Sequence, residues 1–121
     1  MKLKDKQEKK RRRITRTRKT VVGTPDRPRL AVCKSLRHIY TQVIDDTAGV
    51  TIASISSLSP ELKDQLRGKT KTEIAELIGQ KIGELAKTKG VEKVVFDRHG
   101  SIFIGRVKAV AQGARKAGLE F

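Results

Sequence analysis

The stretch RLAVCKSLRHIYTQVIDDTAGVTIASIS, residues 29–56, holds three runs, 29–35, 38–46 and 50–56, separated by the short links LR and DTAG. Each run is rich in β-branched residues, which suit a pleated, half-buried surface. Links this short can only join antiparallel neighbours, so the stretch predicts a three-stranded meander. Cys33 sits in the alternating part of the first run and is expected to be a small buried apolar residue.

Upstream, GTPDRPRL (23–30) is a lead-in turn. Pro25 and Pro28 fix φ and push Thr24 and Arg27 into extended conformations, so Arg27 and Arg29 are held more rigidly than arginines further upstream. Downstream, SSLSPELKDQLRG predicts a short helix with Ser59 as N-cap, Pro60 in its first turn and a stop at Gly68. TKTEIAELIGQKIGELAKTKG predicts a longer helix, opened by Thr70 and Glu73 at capping-box spacing and closed at Gly90. Ile74, Leu77, Ile78, Ile82 and Leu85 form its apolar face. Gly79 and Gly83 lie at the edge of that face and imply a close approach of helix to sheet.

VEKVVFD (91–97) predicts a fourth strand, and its consecutive Val94, Val95 and Phe96 place it inside the sheet, covered on both faces. GRVKAVAQGARKAG (105–118) is a last helix with a Val107, Val110, Ala111, Ala114 stripe and Gly118 as stop. A right-handed crossover through the helices brings the fourth strand beside the first, which gives an α/β domain with a mixed four-stranded sheet of order 3-2-1-4.

The charge is uneven. The 121 residues carry a formal +15, and residues 1–29 alone hold 13 Lys/Arg against 3 Asp/Glu. So large a charge on a single small domain attracts polyanions, with nucleic acid or an anionic membrane as the counterpart. No apolar run approaches the ~20 residues of a membrane span, and a secretory h-region is absent, so the expected place is the cytoplasm. With Tyr40, Phe96, Phe103 and Phe121 as its four aromatics, the chain is too poor in rings to stack successive unpaired bases, and the expected grip is on phosphates and helical shape. One cysteine excludes an intrachain disulfide and a thiolate metal cluster.

Residues 1–22 are expected to be a flexible basic arm, unordered when free, preceding a single globular domain at 23–121. With Leu3 and Ile14 as its only apolar residues before Val21, apart from the initiating Met1, residues 1–20 bury too little to repay ordering. A solvated tail or an import signal would share this composition. Yet the density of Lys9, Lys10, Arg11, Arg12, Arg13, Arg16, Arg18 and Lys19 favours an arm that orders on RNA, because guanidinium forks bind phosphate bidentately.

Asp97, Arg98 and His99 sit at a strand end and invite an enzymatic reading. Asp45, Asp46 and Asp97 converging there would suit two Mg²⁺ ions in a metal-dependent nuclease. DDTAG, however, has the composition of a hairpin turn in which Asp bonds nearby amides. His99 lacks a nucleophile in a recognisable turn, and His38, His99 and Cys33 lack metal-ligand spacing, so no catalytic residue, metal or cofactor is assigned. The basic alternative uses Lys34, Arg37 and His38 around the first hairpin turn, Arg98 and His99 after the fourth strand, and Arg106 and Lys108 at the start of the last helix, where unpaired amides favour phosphate.

GTPDRPRLAVCKSLRHIYTQVIDD, GVTIASISSL and KGVEKVVFDRHGSIFIGRVKAVAQGARKAGLEF together resemble the bacterial large-subunit ribosomal proteins of family eighteen, and the likeness spans essentially the whole chain. The resemblance implies a non-enzymatic protein that binds 5S rRNA and attaches it to 23S rRNA in the central protuberance, beside neighbouring large-subunit proteins and as a monomer when free. It implies a three-layer α/β fold of the ribonuclease H-like motif. It places RNA contacts at Arg27 and Arg29, at Ser35, His38 and Tyr40, and at Arg98 and Gly100, and Thr24 of the lead-in turn is counted as an RNA-binding residue beside them. Where family members often read Ser-Asn-Lys-His, this chain has Ser35, Leu36, Arg37 and His38, which removes an Asn amide and keeps the charge.

Overall fold

The computed structural model describes residues 3–18, 21–100 and 103–121. The meander is present as β1 (Arg29–Lys34), β2 (Ile39–Asp45) and β3 (Val50–Ser56), paired antiparallel with Leu30 opposite Val43 and Thr41 opposite Ile55. A register shift at Val43/Ile44 marks a bulge in the β2–β3 pair. The short helix appears as a 3-10 turn, Pro60–Leu62, running into α2 (Lys63–Leu66); α1 is the N-terminal helix Leu3–Arg18. Ser59 stands at the N-cap of that turn as expected, but its side chain makes no capping bond: its Oγ accepts from the Ser56 amide at 3.1 Å instead.

Helix α3 (Lys71–Thr88) starts as its sequence requires, with Thr70 Oγ1 accepting from the Glu73 amide at 3.3 Å. It returns the chain so that β4 (Val95–Asp97) lies parallel to β1, and α4 (Gly105–Lys116) follows. The sheet order is β3-β2-β1-β4, as expected. Helix α4 ends before Gly118, whose φ of 104° suits only glycine without strain.

Helices α3 and α4 pack on the sheet face that carries Leu30, Val32, Ile39, Val43, Ala53 and Ile55, and Ile78, Ile82, Val110 and Ala114 complete the core. Alternation sends the intervening residues to the other side, where Cys33, Tyr40, Gln42 and Ser54 are exposed. Cys33 is therefore not the buried residue expected: Val32 takes the core position and Cys33 has the opposite parity. The two long helices share one layer, so the third layer implied by the resemblance is not formed by them.

Two further expectations change. β4 is an edge strand of three residues rather than an interior one. Its apolar character is explained by the 119–121 segment: the Val94 amide donates to Glu120 O at 3.0 Å, and Phe96 stacks on Phe121 at 5.4 Å with Phe103 edge-on at 5.7 Å. Arg115 lies over the Phe121 ring at 4.5 Å and closes this side.

The close approach that Gly79 and Gly83 permit is to α4, not to the sheet. A Cβ on Gly79 would run into the Val110 carbonyl, and one on Gly83 would meet Ala117 Cβ at 2.6 Å. Gly113 of α4 reciprocates against the Glu76 carbonyl, so the two backbones are in near contact. Gly79→Ala is expected to lower stability by up to about 2 kcal/mol in urea denaturation, because overpacking of about 1–3 kcal/mol offsets a helix-propensity gain of about 1 kcal/mol. A stabilised variant would contradict the contact.

A candidate nucleic-acid interface

The β1–β2 turn is a tight four-residue loop: the Ser35 amide donates to His38 O at 2.9 Å, and Ser35 Oγ accepts from the His38 amide at 3.1 Å. Beside it lie the ends of elements distant in sequence. Ser57, just past β3, accepts from the Ile39 amide at 3.1 Å and lies 3.0 Å from His38 Nδ1. Lys71, the first residue of α3, donates from Nζ to Leu36 O at 2.7 Å. Arg106, second in α4, completes a cleft lined by Arg37, His38, Ile39, Ser57, Lys71, Ile74 and Arg106, with no carboxylate among them. Two helix N-termini thus open at a cluster of cations, an arrangement that attracts phosphate.

A second basic element follows β4. Asp97 Oδ1 accepts from the His99 amide at 2.9 Å, so Asp97 bonds its own turn, and the chain then passes through positive φ at His99 (52°) and Gly100 (74°). Arg98 is exposed at this corner. Helix α1 rests on it: Arg13 Nε donates to Gly100 O at 3.0 Å, and Lys10 and Ile14 lie against Gly100. The arm is helical here over Leu3–Arg18. Its Lys, Arg, Glu and Gln residues are good helix formers, and Glu8 pairs with Arg12 at 2.9 Å, one turn apart. A Cβ on Gly100 would come within 2.9 Å of Ile14 Cγ1 at a φ that L-residues avoid. Gly100→Ala is expected to undock α1, read as faster amide exchange over residues 3–18 with the α3 and α4 amides unchanged; equal protection of α1 would contradict the docking.

Arg29 departs from its expected role. It is buried, with 7% of its surface exposed, and its guanidinium is spent inside the protein. Nε and Nη2 donate to Asp46 Oδ2 and Oδ1 at 3.0 Å each, and Nη1 donates to Asp97 Oδ2 at 2.8 Å. These bonds, Asp46's foremost, raise the guanidinium pKa despite the opposing effect of burial. The carboxylates read as possible metal ligands therefore bracket a fixed cation. Asp45 is occupied too, accepting from the Thr47 amide at 3.0 Å and from Thr47 Oγ1 at 2.6 Å. Among the described residues no group of three His, Cys, Asp or Glu side chains is placed to hold a metal.

The remaining expected residues are spread over the surface. Thr24 Oγ1 accepts from the Arg27 amide at 3.1 Å and leaves the Arg27 side chain exposed. Lys34, Ser35, Arg37, Lys108 and, on α1, Lys9, Arg11, Arg12 and Arg13 are exposed as well; Lys10, His38, His99 and Arg106 are half-buried. Tyr40 lies on the open sheet face, 37% exposed, opposite Cys33. The side chains of Arg16 and Arg18, and Lys19 as a whole, lie outside the described residues. Lys71 and Ser57 escaped the sequence reading. A lysine after an N-cap and a serine after a strand look ordinary until the fold brings them to the turn.

Residues 4–121 match the protein family described as "Ribosomal L18 of archaea, bacteria, mitoch. and chloroplast". The chain belongs to this family. It is 53% identical over 121 residues to a protein of Thermotoga petrophila named "Large ribosomal subunit protein uL18", a match covering 100% of this chain and 99% of that one. Proteins of the same name from Desulfosudis oleivorans and a Synechococcus strain are 52% and 54% identical, covering 96% and 92% of this chain and 95% and 92% of theirs. As an L18-family member the protein is a structural component of the ribosome and not an enzyme, so the nuclease alternative falls on both geometry and kinship. No helix among the described residues is long and apolar enough to cross a membrane.

Proposed function

We propose that the protein binds 5S rRNA and attaches it to 23S rRNA in the central protuberance of the large subunit, with neighbouring large-subunit proteins as further contacts. The observation that carries this reading is the carboxylate-free cleft where Arg37, His38, Lys71 and Arg106 meet at the starts of α3 and α4. Membership of the L18 family supplies the ribosome as the setting. The body, residues 23–121, recognises folded RNA by shape and phosphate position. The arm, residues 1–22, adds electrostatic affinity, and in the free protein it exchanges between the docked helix α1 and an unordered chain. Its described contacts with the body run through Lys10, Arg13 and Ile14, and a single helix of this length is marginal in water without packing.

A titration of the full-length protein with 5S rRNA and with an unrelated structured RNA tests the reading. With about 8 phosphates neutralised, the slope of log affinity against log salt should be about −6 to −7. Equal affinity for the two RNAs would refute 5S recognition, and a slope near zero would refute phosphate gripping.

A further inference from the structure

The cleft at the β1–β2 turn has a composition that the general attraction of basic protein for RNA does not require. Arg37, Lys71 and Arg106 come from three separate elements and line one small cleft that has no carboxylate among its lining residues, so like charges gather there and an anion is favoured. Lys71 ties the turn down through Leu36 O and keeps two further ammonium hydrogens. Ser57 Oγ accepts the Ile39 amide and lies 3.0 Å from His38 Nδ1, which holds the imidazole in place at the edge of the cleft. Ile39 and Ile74 supply the apolar lining.

We infer that this cleft is a clamp for one backbone phosphate of the RNA, formed by Arg37, His38, Lys71 and Arg106, with Ser57 holding the His38 ring in place. The inference rests on the RNA-binding reading above and gives it a specific subsite. The polar side chains that face the space offer donors, and a phosphodiester offers only acceptors, so the two are complementary. The starts of α3 and α4 add partial positive charge. A carboxylate of another protein would satisfy the same donors. The chain's +15 charge and the exposed Arg27, Lys34 and Arg98 favour the phosphate of a nucleic acid over it.

Several cations on one phosphate leave a signature that scattered cations do not. In the full-length protein Lys71→Ala and Arg106→Ala should each weaken RNA binding about 5–10-fold at 0.1 M salt. The double variant should lose little more than the worse single one, with a salt slope shallower by about 0.9 rather than about 1.8. Lys89→Ala, at the far end of α3, should leave affinity and slope unchanged. Urea midpoints confirm folding, and Arg106→Gln replaces Arg106→Ala if the latter is unstable. His38→Gln should retain more affinity than His38→Ala, because the amide still donates. All variants are measured on 5S rRNA and on the unrelated RNA. Multiplicative losses with a slope change near 1.8 would overturn the shared clamp. Wild-type affinity of the double variant on both RNAs would overturn it in favour of an acidic protein group. If the slope change appears on both RNAs without 5S preference, the clamp stands and the 5S reading fails.

Discussion

Arg29→Ala is expected to lower the unfolding free energy by about 3–5 kcal/mol in urea denaturation, the cost of removing one partner from a buried ion pair. The guanidinium links Asp46, just past β2, to Asp97 at the end of β4, and its loss takes that countercharge from Asp97, which is 1% exposed. Arg29→Lys keeps the charge but not the fork, so it cannot bond both Asp46 oxygens and Asp97 together, and it should recover only part of the loss. Because the folded guanidinium pKa is raised, the guanidinium stays charged as the pH rises through the ordinary arginine value, and its contribution is lost on the alkaline side only above the folded pKa. Had Arg29 been an RNA contact, the alanine variant would fold normally and bind weakly. A variant as stable as the parent would refute the internal role.

That contrast shows what was legible in the sequence. The meander, the capping pair Thr70 and Glu73 and the glycine stops are local signals, and each is found where its chemistry put it. The role of Arg29 depends on register: it reaches Asp97 because β4 lies parallel to β1 with Arg29 beside Val95, and 68 residues separate the two partners. The same holds for Lys71 and Ser57, which acquire a function only when the first turn of α3 and the end of β3 arrive beside Leu36 and His38. Cys33 and Gly79 failed for a related reason. Alternation and helical periodicity say that a residue has a face, and the neighbouring element decides what that face meets.

Deleting residues 1–20 is expected to weaken binding to 5S rRNA about 10³-fold at 0.1 M salt and only about twofold near 0.5 M. The disparity follows from the origin of the affinity. Each phosphate neutralised by the arm releases condensed counterions, a gain that shrinks as bulk salt rises. If the arm accounts for about five of the roughly eight contacts, the slope should fall from about −6 to −7 to about −2 to −3. The preference for 5S over an unrelated RNA should survive, because shape is read by side chains fixed on the body: Arg37 on a turn tied to α3 by Lys71, and Arg98 on a corner held by Asp97. Fixed groups lose less entropy on contact than arm residues that must order at the same time. The docking of Lys10, Arg13 and Ile14 on Gly100 joins the two parts, since a docked α1 starts its search for phosphate already beside Arg98. Gly100→Ala should therefore weaken binding less than the deletion while leaving the slope steep. Loss of 5S preference in the truncated protein would move specificity into the arm and overturn this division.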